Sequence, residues 1–166
     1  TGYETDDGNE LSFRELAGIA SNSKYAFLSD KLNNVVIKYD IGGFTNENVA
    51  KSFGTDILLG HRRNYIELVG GFDGTSSETK FNLPTRLACS EKEVAVYDSG
   101  NKIIKIFDIN FNFITRISSI NLNIETFGAM EYDSDFEVLY VITYGIDELT
   151  NLNTAYLYRF NSGRQR

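Results

Sequence analysis

The chain repeats itself. Leu16 to Ile41 (LAGIASNSKYAFLSDKLNNVVIKYDI) lies over Pro84 to Ile109 (PTRLACSEKEVAVYDSGNKIIKIFDI) without a gap, shifted by 68 residues. Identical pairs are Ala20/Ala88, Lys24/Lys92, Asp30/Asp98, Asn33/Asn101, Asp40/Asp108 and Ile41/Ile109. Apolar residues meet apolar ones at Ile19/Leu87, Ala26/Val94, Leu28/Val96, Val35/Ile103, Val36/Ile104 and Tyr39/Phe107. The identities fall on turn residues and the apolar pairs on strand faces. A looser third copy runs from Phe127 to Asn161: LYVIT replaces VAVYD, YLYRFN replaces KIFD, and a longer loop, Tyr144 to Asn153, replaces the tight turn. A small unit of this kind cannot bury its apolar faces alone, so the copies must stack.

Within each copy the period is that of strands. Aromatic and β-branched residues alternate with polar ones, and Asn, Asp, Ser and Gly interrupt them at short intervals. The best-defined copy reads as four strands: Arg86 to Ser90, Glu93 to Tyr97, Lys102 to Asp108 and Phe111 to Ile117. Asp98-Ser99-Gly100-Asn101 makes the tight hairpin, with Gly100 expected at positive φ. Four antiparallel strands per repeat make the blade of a β-propeller. The expected fold is therefore all-β, with about three blades of four antiparallel strands in an incomplete ring. The organisation is a polar N-terminal tail over 1–12, a propeller portion over 13–161 and a C-terminal tail over 162–166. The copies lie near 13–41, 66–118 and 120–161, with an insertion at 42–65. The one helical candidate is Asn46 to Phe53, inside that insertion.

The segment from Leu68 to Ile117 opens on a Gly-rich lead-in, Gly70-Gly71-Phe72-Asp73-Gly74, followed by Phe81 and Pro84. Its core is Val96, Asp98, Ser99, Gly100, Asn101, Ile104, Phe107 and Asp108. In this pattern the segment resembles an NHL repeat. The first copy keeps Asp30, Asn33, Val36, Tyr39 and Asp40, but has Leu32 at the Gly place and Leu16 at the Pro place. The third departs most, with Thr143 at the Asp place. The resemblance implies a propeller used mainly as a rigid interaction platform. It makes Asp98 and Asn101 turn-bracing residues, and Phe107 and Tyr39 packing residues between blades.

Composition excludes several functions. A formal net charge of -7, with Arg62-Arg63 the only adjacent basic pair, disfavours nucleic acid and anionic membranes. No apolar run is long enough to span a bilayer as a helix. The chain begins at Thr1 without a basic-then-apolar leader, which reads as an excised or processed start. The compartment is left open, with a cytoplasmic or virion-associated location the expectation. One cysteine, Cys89, allows no internal disulfide and suggests a buried, inert thiol.

Chemistry is sparsely written. His61, the only histidine, sits in GHRRNY, and no Gly-x-Ser-x-Gly elbow accompanies it. No cofactor is called for, although abundant carboxylates leave room for a divalent metal such as calcium in a propeller channel. Long loops on a rigid scaffold carry function, so the candidate contact residues are His61, Arg62 and Arg63 in the insertion and Tyr144 and Asp147 in the third copy. Clustered Tyr140, Tyr144, Tyr156 and Tyr158 form either an aromatic binding surface or packing between blades. Three blades do not close a ring, and the third copy ends after its third strand. The expected function is a non-catalytic module for protein–protein interaction, completed by partners or other copies, as in a virion or tail assembly. The alternatives are a hydrolase or lyase with a channel metal, and a carbohydrate- or nucleic-acid-binding propeller.

Overall fold

The computed structural model describes residues 2–4, 10–41, 65–72, 77–118 and 126–161. Every regular element among them is a β-strand. The first sheet holds β3 (Leu16–Ser21), β4 (Tyr25–Asp30), β5 (Val35–Asp40) and β6 (Tyr65–Gly70) in that order. The second holds β7 (Pro84–Cys89), β8 (Glu93–Asp98), β9 (Ile103–Asp108) and β10 (Phe113–Ser118). The third holds β11 (Thr126–Asp133), β12 (Val138–Ile146) and β13 (Asn153–Asn161). Each is an antiparallel meander. The expected tail over 1–12 is partly structured: β1 (Gly2–Glu4) pairs with β2 (Glu10–Ser12) as a separate hairpin and adds no strand to the third sheet. The insertion at 42–64, with its helical candidate and with His61, Arg62 and Arg63, lies outside the described residues, as does 162–166.

The repeat in sequence is a repeat in packing. In the first sheet Phe27 and Val36 share a face, because Phe27 pairs with Lys38 and Ser29 with Val36. They pack with Leu87, Val94, Val96 and Phe107 of the second sheet. The opposite face of the second sheet carries Ala95, Tyr97, Ile104 and Ile106, the counterparts of Phe27, Ser29, Val36 and Lys38. It packs with Met130, Tyr132, Leu139 and Val141 of the third. Both junctions thus join the back of one sheet to the front of the next, which turns alternation within a strand into stacking between sheets. Hydrogen bonds repeat across the same junctions. Ser23 Oγ and N donate to the Glu91 carboxylate at 2.6 and 3.0 Å, and Asn22 Nδ2 donates to Ser90 O at 3.0 Å. One sheet further on, Ser90 Oγ donates to Glu137 Oε2 at 2.7 Å.

The Asp–Asn turns recur in kind: each carboxylate takes the Asn amide three residues on and backbone N–H from the entering segment. Asp30 accepts Arg14 N and Glu15 N at 3.1 Å each and Asn33 Nδ2 at 2.8 Å. Asp98 accepts Asn82 N at 2.7 Å and Asn101 Nδ2 at 2.8 Å. The brace is wider than a self-contained turn. Each Asp ties its hairpin to the segment entering the same sheet, and both carboxylates are fully buried. One expectation fails here: positive φ falls on Lys102 (53°), as on its counterpart Asn34 (58°), and not on Gly100. Gly100 is needed for closeness instead. A Cβ there would lie 2.4 Å from Asn82 Cγ and 2.7 Å from Asn82 O, so any side chain would push the entering segment away.

Candidate functional site

The motif residues serve the scaffold. Ser99 Oγ donates to Leu83 O at 2.5 Å. Phe107 is fully buried, edge-on to Phe81, Phe111 and Phe113 at 5.8, 6.4 and 5.8 Å. Tyr39 packs with Val35 and Ile37 on the front of the first sheet. Asp40, on the last residue of β5, is half-buried. Asp108 accepts Asn110 N, Asn112 N and Asn112 Nδ2 at 2.8, 3.0 and 2.8 Å. Burial opposes its charge, but the bonds from Asn112 and Asn110 outweigh it and hold the carboxyl below its usual range.

Burial pushes the Cys89 thiol up to about 12, with the charges of Glu131 and Glu91 adding to it. The thiolate is the reactive form, so the folded protein should leave Cys89 unmodified by a thiol-specific disulfide reagent at pH 8, with full reaction in denaturant. Rapid modification of the native chain would contradict this burial.

Three buried polar groups had no distinctive sequence signal. Lys105 is fully buried; its Nζ lies 3.1 Å from Asp98 Oδ2, donates to Ser77 O at 2.7 Å and bonds Lys80 O. Lys38, 2% exposed, pairs with Glu67, donates to Ile109 O at 2.7 Å and lies over the Tyr25 and Phe111 rings. Tyr132 Oη donates to Glu93 Oε2 at 3.0 Å between the second and third sheets. Burial pushes that phenol well up, so it keeps its proton. Two of the chain's cations are therefore spent inside.

The third sheet is the open one. The loop after β12 is shorter than the sequence suggests, because the strands reach Ile146 and Asn153. Asp147 Oδ1 accepts Leu149 N, Thr150 N and Thr150 Oγ1 at 3.1, 2.8 and 2.8 Å, which holds its carboxyl below the usual range. The four tyrosines do not form one surface. Tyr158 pairs with Val141 and Tyr156 with Thr143, on the face toward the second sheet. Tyr140 and Tyr144 point to the other face by alternation. That back face carries Ile142, Tyr144, Ile146 and Leu157, from 37% to 67% exposed. Its counterpart in the second sheet is buried under the third. Among the described residues no strand pairs with the outer edge of β13, the place that β6 and β10 fill in the other sheets.

A second open feature runs along the first strands. β3, β7 and β11 each carry a bulge, at Leu16/Gly18, Pro84/Arg86 and Phe127/Ala129. The bulges coincide, so Gly18, Arg86 and Ala129 hold the same place in three neighbouring strands. Together with Leu16, Ile19, Leu87 and Met130 they line a trough of about 530 Å³. A Cβ on Gly18 would lie 2.4 Å from Thr85 O, so β3 and β7 touch through their backbones there. Among the described residues no three His, Cys, Asp or Glu side chains are grouped to hold a metal ion, and no helix is long and apolar enough to cross a membrane.

No protein-family model and no curated protein matches the sequence. Similar solved structures include a chain of a nidogen/laminin complex, with 10% identity and TM-score 0.48 over 88% of this chain and 51% of that one. A computationally designed protein, Ika4, is 11% identical with TM-score 0.49 over 98% and 79%. A Bacteroides uniformis ATCC 8492 protein provisionally named a 6-phosphogluconolactonase is 9% identical with TM-score 0.47 over 93% and 43%. The chain spans about half the length of the first of these.

Proposed function

We propose that this chain is an NHL-like β-propeller portion and works as a non-catalytic platform for protein–protein interaction. Its docking side is the back face and free edge of the third sheet. One observation carries the reading. The face with Ile142, Tyr144 and Leu157 is solvent-exposed, while the equivalent face of the second sheet is covered by another sheet. The outer edge of β13 supports it: no strand pairs with it among the described residues, and an open strand edge is a template for strand addition. Sheet surface contributed by another copy or a partner would complete the arrangement. Covering this apolar area contributes about 25 cal/mol for each Å² removed from water.

Light scattering across a concentration series tests this. The full chain should associate, with the β13 amides that do not bond to β12 becoming protected from exchange as it does. Leu157→Asp should return it to one chain per particle without changing the melting temperature, because the site is exposed in the isolated chain. A monomer at every concentration in which those β13 amides are already protected would defeat the reading.

A further inference from the structure

We propose that the trough along the first strands is a binding site for a small carboxylate with an apolar body, its head held by Arg86. This site is built within one chain and does not depend on the docking side of the third sheet.

The three coincident bulges set the geometry. At the shared position Gly18 has no side chain and Ala129 has a single methyl group, so neither fills the trough beside Arg86, which is exposed to solvent. Bulges re-aim side chains and recur beside binding sites. The space of about 530 Å³ lies within the roughly 300–1,000 Å³ of small-molecule sites. Its walls are mostly apolar, and Leu16 and Ile19 stay 50% and 70% exposed to water. An apolar ligand body would remove that surface from solvent.

Charge selects the head group. The Arg86 guanidinium makes no hydrogen bond or ion pair among the described residues, in a chain whose net charge is -7. Glu15, an acid that lines the adjoining depression, is taken by Lys31 at 2.7 Å. A guanidinium offers a planar pair of donors that fits a carboxylate with two parallel bonds. A cation would meet that charge head-on, and a neutral ligand would leave it unused.

Titration calorimetry of the full chain with octanoate tests the proposal, with octanol and acetate as probes lacking the head or the body. Octanoate should bind saturably, and octanol and acetate each at least about tenfold more weakly. Arg86→Ala should weaken octanoate about tenfold or more, Arg86→Lys less, and Ala129→Phe should block the trough. Unchanged melting temperatures would show that the variants fold. No saturable octanoate binding, equal binding by octanol, or binding that Arg86→Ala leaves intact would each overturn it.

Discussion

Asp98→Ala should lower folding stability by about 3–5 kcal/mol, the range for removing one partner of a buried ion pair. The carboxylate accepts Asn82 N, Asn101 Nδ2 and the Lys105 ammonium, and neither charge is exposed. Its loss strands a buried cation and detaches the segment that enters β7. Urea denaturation should show a lower midpoint at similar slope. Adding Lys105→Met should recover part of the loss, because the unpaired charge leaves with it. Asp30→Ala should cost less, about 1–3 kcal/mol. Its bracket takes a second backbone N–H, from Glu15, but Ile37 stands where the second sheet has Lys105, so no cation is stranded. Equal losses at the two sites would show that the buried lysine is not what distinguishes them.

Phe107→Ala should cost about 3–5 kcal/mol, the usual range for emptying a fully buried aromatic site. Its ring touches three other phenylalanines at the junction of the first two sheets. Those rings come from the entering segment, β10 and the turn before it, so no single neighbour can move in to fill the space. Leu157→Ala, at a residue 67% exposed, should change stability by no more than about 0.5 kcal/mol. Thermal unfolding of both variants checks the contrast. A small Phe107 effect would mean that the junction relaxes, and that the sheets are not held by this ring cluster.

The strand order and the turn chemistry were legible because they are local. Asp30 and Asp98 recur with Asn33 and Asn101 at one spacing, and a turn needs only neighbouring residues to specify it. Lys105 was not legible as a buried ion. Ile-Ile-Lys-Ile-Phe reads as a strand with one solvated charge, and two of the groups that receive its ammonium are backbone carbonyls of Ser77 and Lys80. Carbonyls are the same in every residue, so they leave no mark in a sequence. The positive φ at Lys102 was hidden for a related reason. The glycine rule marks open conformation, whereas Gly100 answers a close approach by Asn82.

The tyrosines of the third copy show the same limit from another side. Their proximity in sequence left a binding surface and packing between blades both open, and register divides them: Tyr156 and Tyr158 lie on one face, Tyr140 and Tyr144 on the other. The trough is further still from the sequence. Gly18, Arg86 and Ala129 share no motif, and they meet only because three bulges fall at the same height.

By itself, then, the sequence determined that this chain forms short antiparallel strands in repeated sheets, with Asp–Asn braces and alternating apolar faces, because those properties depend on residues close along the chain. Only the tertiary structure decided which face of each sheet is covered, where the buried lysines find oxygen, and that an arginine without a side-chain partner among the described residues lines a mostly apolar trough. Those depend on backbone atoms and strand heights brought together across different sheets.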